Sequence, residues 1–144
     1  MNALRESDSV TEGLRRLSIG TQLNDMNLDI KSMNVYVPAR DFELSKRFYT
    51  ALGFSLTEVW GGSFDCRLGN SLFRLQKYYV EDWARNFMLQ FEVDDANAWY
   101  EHVKPIIDSG DFGDASVMLP EAVTEDTIIT HVVDPSGVLL IFIQ

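Results

Sequence analysis

Asn34-Val35-Tyr36-Val37-Pro38-Ala39-Arg40-Asp41 and Met88-Leu89-Gln90-Phe91-Glu92-Val93-Asp94-Asp95 are one phrase written twice, an apolar run leading to Asp and then to a helical pattern. Its recurrence makes the chain two copies of one supersecondary unit. After Asp41 the residues Phe42-Glu43-Leu44-Ser45-Lys46-Arg47-Phe48-Tyr49 and then Leu52-Gly53-Phe54 read as a helix capped by Asp41 and stopped by Gly53. The chain closes on Asp134-Pro135-Ser136-Gly137 followed by an apolar run, a tight turn into a terminal strand.

Outward from these phrases the chain divides into an extension, residues 1–30, and one domain, residues 31–144, built of modules at about 31–80 and 86–144. Module one is expected to hold a strand near 32–38, a helix near 42–52 and strands near 55–60, 63–68 and 71–78. Module two repeats this with a strand near 87–93, a helix near 96–108 and last strands near 127–133 and 138–143. Pro105 inside the second helical pattern predicts a kink or an early end. Residues 108–114 form a turn-rich loop with a strand after it. In the extension, Leu14, Leu17 and Ile19 offer at most one short amphipathic helix, and the rest of its composition is that of a disordered tail.

The chain has 144 residues, is 46% hydrophobic, and has enough apolar content for one compact core. A formal charge of −10 with 12 scattered basic residues argues against a nucleic-acid partner, because phosphate recognition needs clustered Lys and Arg. That acidity is compatible with a cationic ligand, although solubility alone accounts for it. Cys66 is the only cysteine, so no intrachain disulfide forms, which fits a reducing cytoplasm. It reads as an inert strand thiol rather than a nucleophile. No apolar run has transmembrane length and no signal segment is evident, so a cytoplasmic protein with no membrane partner is expected.

The two strand-Asp-helix phrases and the Asp134-Pro135-Ser136-Gly137 turn resemble the vicinal-oxygen-chelate superfamily, which includes glyoxalase I, bleomycin-resistance proteins and extradiol dioxygenases. The resemblance covers about residues 31–144. It implies an α+β fold of two βαβββ modules forming a curved, mainly antiparallel sheet around a concave cavity, with a homodimer as the expected assembly. Modules of such proteins close within one chain or exchange between two.

Metal-dependent members of that superfamily carry a His or Gln seven residues before the capping Asp of each module. Those places hold Asn34 and Met88. A further ligand, a Glu, stands seven residues after the Asp of the final turn, where this chain has Ile141. Alkyl, thioether and amide groups do not make a site for borderline or hard divalent ions, which want imidazole, carboxylate or thiolate. No metal and no other cofactor is therefore expected. Counting from Gly69 as from Gly137 points to Phe73, yet that register sets Arg74 and Gln76 against the helices, where a bare charge is costly. A slip of one residue is expected instead. It turns Arg74 and Gln76 into the concavity, with Leu72 at the strand entry and Phe73 and Leu75 in the core.

Alternation places Asn34, Tyr36 and Pro38 on one face of the first strand and the apolar Met33, Val35 and Val37 on the other. Met88, Gln90 and Glu92 are the corresponding open-face set of the repeated strand. Arg74 on that face would clamp a ligand carboxylate or pair with Glu92. His131, on the penultimate strand with Ile129 and Val133, is the candidate for proton transfer or hydrogen bonding, against a structural histidine. His102 lies beside Glu101 and Lys104 and reads as a surface helix residue. The Trp60-Gly61-Gly62 turn would overhang the pocket, and Trp83, in the stretch between modules, is expected at a pocket rim or dimer contact.

The leading expectation is a metal-free binding protein of the bleomycin-resistance type. It would hold a small organic ligand among Asn34, Tyr36, Trp60, Arg74, Gln76, Met88, Gln90, Glu92, His131 and Ile141. The alternatives are a metal-dependent lyase, isomerase or dioxygenase of the glyoxalase I type with non-standard ligands, and a non-catalytic structural or regulatory dimer.

Overall fold

The computed structural model describes residues 26–144, and Asn34–Gln144 form one compact unit. The short helix expected around residues 14–19 lies outside the described residues. Residues 26–33 make a turn and an extended run with exposed Met26, Leu28, Ile30 and Met33.

Module one runs β1 (Tyr36–Pro38), α1 (Phe42–Leu52), β2 (Ser55–Glu58), β3 (Phe64–Leu68) and β4 (Ser71–Gln76). Module two follows a short helix α2 (Glu81–Arg85) and runs β5 (Met88–Glu92), α3 (Ala96–Asp108), the short β6 (Ser116–Val117) and β7 (Glu121–Ala122), then β8 (Ile128–Val133) and β9 (Leu139–Ile143). The sheets have the same plan, with strand order β1-β4-β3-β2 in one and β5-β9-β8-β6 in the other, β7 pairing with β8. The first strand of each module joins the last in parallel, and the remaining pairs are antiparallel.

Both helices begin as the repeated Asp predicts. Asp41 accepts the backbone N–H of Leu44 at 3.0 Å, and Asp95 accepts that of Ala98 at 2.9 Å. Gly53 ends α1 with φ 111°, a conformation open to residues without a Cβ. Helix α1 buries Ser45, Phe48, Tyr49 and Leu52, the i, i+3, i+4, i+7 stripe, against its own sheet and the second module. Tyr49 lies 4.9 Å from Phe73 in β4, ring centre to ring centre. In α3 the equivalent contact is Trp99 stacked on Phe142 of β9 at 4.2 Å. Each such side chain taken from water contributes about 1.5–3 kcal/mol.

Four expectations need correction. The first strand is shorter than 32–38, and Met33 is 79% exposed rather than packed under a helix, because strand pairing to β4 begins only at Tyr36. Pro38, expected on the open face, is buried. Helix α3 passes through Pro105 to Asp108; the Pro105 carbonyl still accepts the N–H of Ser109 at 3.1 Å, so the last turn closes despite the missing donor. The stretch between modules is not a plain linker, since Glu81–Arg85 is helical and packs Ala84 into the core. Trp83 there contacts Phe87 edge-on at 5.8 Å and Tyr78 at 6.4 Å, an intramolecular cluster. No helix among the described residues is long and apolar enough to cross a membrane.

A buried polar seam joins the modules. The Tyr49 hydroxyl donates to Asp134 Oδ2 at 2.7 Å, and Asp134 Oδ1 accepts the N–H groups of Ser136 and Val138 at 2.8 and 2.9 Å. Ser136 Oγ accepts the N–H of Arg40 at 2.9 Å. The final turn therefore binds the start and the middle of the first module's helix. Burial raises the Asp134 carboxyl above its ordinary range despite these donors, and burial together with the Asp134 charge raises the Tyr49 phenol well above 10.0.

Candidate functional site

The face of each sheet turned away from the helices carries the residues singled out from the sequence. In β4, Phe73 and Leu75 are buried while Arg74 and Gln76 alternate onto the open face, the register expected for this strand. Tyr36 stands opposite Arg74 in the β1–β4 ladder, and Gln90 stands opposite Ile141 in the β5–β9 ladder. Tyr36 and Gln90 occupy matching places before Asp41 and Asp95, so Arg74 is the module-one counterpart of Ile141.

Arg74 is held where it stands. Its Nε donates to Asp65 Oδ1 at 2.7 Å and its Nη2 to Asp65 Oδ2 at 3.2 Å, a two-pronged pair with side chains 13% and 21% exposed. The guanidinium also lies 5.7 Å from the centre of the Tyr36 ring. Hydrogen bonding to Asp65, and then to Tyr36, raises its pKa further, so it stays charged throughout the accessible range. The partner expected for Arg74, Glu92, is not the one it takes. Asp65 sits directly across the β3–β4 ladder, whereas Glu92 belongs to the other sheet.

On module two, Gln90, Ile141 and His131 form one row across β5, β9 and β8. His131 is half-buried, with Ile129 and Val133 on its own strand face, and its ring has no hydrogen-bond partner among the described residues. Without a carboxylate or hydroxyl beside it, nothing orients this imidazole as a general base; the arrangement gives it one open hydrogen-bonding edge. Met88 is 63% exposed at the start of β5. Trp60 lies in a single 3₁₀ turn between β2 and β3, 75% exposed, with Gly61 and Gly62 at positive φ. Asn34, exposed, precedes β1.

The cleft between the modules is made by other groups: one part, of about 520 Å³, is lined by Phe54, Leu68, Phe91, Trp99 and Phe142 with Gln90 and Glu92. A second part of about 600 Å³ continues along Leu52, Asp94, Asp95 and His102. Of the ten residues named from the sequence, only Gln90 and Glu92 reach it. His102 is exposed on α3, the surface helix residue expected, and it also bridges the modules there. Its Nε2 donates to the Leu52 carbonyl at 2.9 Å, which fixes the proton on that nitrogen because a carbonyl only accepts. The sequence carried a faint signal for it, a position one turn after Trp99 on the same helix.

Among the described residues no group of three or more His, Cys, Asp or Glu side chains converges as ligands. At the places where metal-dependent proteins of this fold carry ligands stand Asn34, Met88, Ile141 and, opposite Tyr36, the cation Arg74. These groups do not fit a divalent ion.

Paired βαβββ modules, each with its first and last strands parallel, define the fold of the vicinal-oxygen-chelate proteins. No family model and no curated protein matches the sequence. Solved structures do match. The chain is similar to a bleomycin resistance determinant encoded on the transposon Tn5, with 23% identity, a TM-score of 0.65, and 80% of this chain and 98% of that one covered. It is similar also to a bleomycin-binding protein solved in complex with bleomycin, at 24% identity and TM-score 0.64 over 80% and 98% of the two chains. A lactoylglutathione lyase from Agrobacterium tumefaciens matches at 12% identity and TM-score 0.57 over 80% and 94%. At these identities the likeness is one of fold.

Proposed function

We propose that this protein binds a small organic molecule on the open faces of its sheets and carries out no metal-dependent step there. The observation behind this reading is Arg74, a guanidinium fixed by Asp65 at the counterpart of Ile141, on the face where relatives of this fold keep a metal. Asp65 balances its charge, but a guanidinium offers no electron pair to a metal, and the N–H groups that Asp65 does not take remain donors for a carboxylate or another electron-rich group. Tyr36, Gln76, Gln90 and His131 add hydrogen-bonding heads to a surface whose body is Met88, Leu139 and Ile141, the mixture of apolar wall and few polar groups that ligand sites use. Two of the similar structures are bleomycin-resistance or bleomycin-binding proteins, which supports binding without chemistry as the role. Within one chain the two open faces belong to separate sheets, and a homodimer in the cytoplasm is the form in which we place them together.

The test joins metal analysis with ligand screening. Purified protein, before and after incubation with zinc, nickel, manganese and iron salts and desalting, is expected to hold no stoichiometric metal. A thermal-shift panel of organic acids, aromatic metabolites and glycopeptides including bleomycin is expected to yield a stabilising compound whose effect is lost in Arg74→Met. Stoichiometric metal retention, or ligand binding indifferent to Arg74→Met, refutes the proposal. Light scattering that reports only monomer at micromolar concentration refutes the dimer.

A further inference from the structure

The intermodule cleft has a character unlike the open faces. Its wall is aromatic and its mouth is acidic. Phe54 meets Phe91 at 5.8 Å, Phe91 stacks on Phe142 at 5.2 Å, and Phe142 stacks on Trp99 at 4.2 Å, so four rings from both modules form one continuous stack in which Phe54 and Phe142 are buried and Phe91 and Trp99 keep part of their surface open to the cleft. Glu92, Asp94 and Asp95 line the two connected parts of the cleft, and no Lys or Arg does. Asp95 is occupied by the α3 cap, which offsets the positive end of that helix. Glu92 and Asp94 have no hydrogen bond or ion pair to their side chains among the described residues. Leu52, the last residue of α1, also lines the cleft, and its carbonyl is taken by the Nε2–H of His102.

We infer that this cleft binds an organic cation with a flat apolar body. Each alternative fits worse. An anion meets two unpaired carboxylates. A neutral apolar molecule of the same shape fills the wall but removes water from Glu92 and Asp94 and returns nothing to them. A cation carried on a ring lays the ring against the open parts of Phe91 and Trp99 and sets its charge at the acidic mouth. The cleft volume, about 520 Å³ for the aromatic part, lies within the range of small-molecule sites. Arg74, Tyr36, Gln76 and His131 take no part, and of the open-face heads only Gln90 also lines this cleft, so the inference does not depend on the reading of the open faces.

The chain has three tryptophans, so Trp60→Phe with Trp83→Phe leaves Trp99 as the single emitter inside the cleft. This protein is titrated with benzyltrimethylammonium and, separately, with its uncharged carbon analogue neopentylbenzene. Saturable change in Trp99 emission is expected with the cation, at affinity about tenfold or more above the neutral analogue. Glu92→Gln and Asp94→Asn are each expected to weaken it by about fivefold. If the double tryptophan variant does not fold, the Trp99 indole N–H resonance of the wild-type protein is followed instead. Absence of a saturable response, equal response to both probes, or binding unchanged by the two carboxylate variants overturns the inference. A response confined to Tyr36, Arg74 and His131 overturns it too, while leaving the open-face reading intact.

Discussion

Replacing Tyr49 by Phe deletes one oxygen and leaves the ring contacts with Phe48, Phe54 and Phe73 in place. What is lost is the 2.7 Å bond to Asp134 Oδ2, buried between the modules. A hydrogen bond to a charged partner is worth about 1.5–3 kcal/mol, and burial puts this one in the upper half of that range, about 2–3 kcal/mol at pH 7. For a chain of this length that is a fall in Tm of about 5–10 °C. The loss has a definite pH dependence. Burial raises the Asp134 carboxyl, so its contribution to stability is fully present below the unfolded value of 3.8 and is lost as pH rises through the folded value. The Tyr49 hydroxyl lowers that folded value; without it the carboxyl rises further, and the variant is penalised over a wider span above 3.8. The deficit of Tyr49→Phe should therefore shrink to about 1 kcal/mol, the worth of a neutral hydrogen bond, as pH falls toward 3.8. Urea unfolding at pH 7, 6, 5 and 4, followed by circular dichroism, measures both quantities. A loss under about 0.5 kcal/mol at pH 7, or one that is the same at pH 4, refutes this account of the seam.

Asp41→Ala and Asp95→Ala each remove an N-cap and should cost about 1 kcal/mol, additive in the double variant because the caps sit on separate helices; chemical denaturation checks both. Cys66, fully buried with its thiol pushed up to about 12 by burial and then by the Asp65 charge, should be inert to thiol reagents at pH 8 and react at once in denaturant. Because both Cys66 and Tyr49 have raised values, their contributions are complete below 9.0 and 10.0 respectively and lost at higher pH, so Tm should fall on the alkaline side; a flat Tm between pH 9 and 11 speaks against their burial. His102→Ala should lower stability by about 0.5–1 kcal/mol through loss of the bond from this exposed side chain to the Leu52 carbonyl, with no measurable loss as the contrary outcome of the same unfolding experiment.

Much of this molecule was legible in its sequence because much of it is local. Asp41 and Asp95 fix helix starts within three residues of themselves, and Gly53 fixes a helix end by its own backbone freedom. In Ser71–Gln76 the cost of burying a charge assigned each side chain to a face, since a strand offers two faces and Arg74 is excluded from one of them. Repetition of the phrase around each Asp then set the module plan, while the resemblance to the vicinal-oxygen-chelate proteins singled out Asn34, Met88 and, from the final turn, Ile141. Partnerships that cross between strands or modules were not legible. The choice of Asp65 over Glu92 for Arg74 depends on which strand lies alongside β4. The bond from Tyr49 to Asp134, and that from His102 to Leu52, join residues far apart in the chain, and no periodicity encodes them. The aromatic cleft with its acidic mouth is likewise a product of how the modules lean together, because Phe54, Phe91, Trp99 and Phe142 become one wall only in three dimensions. Sequence determined what each strand and helix shows on its faces, through short-range sterics and burial cost; tertiary packing decided which of those faces meet.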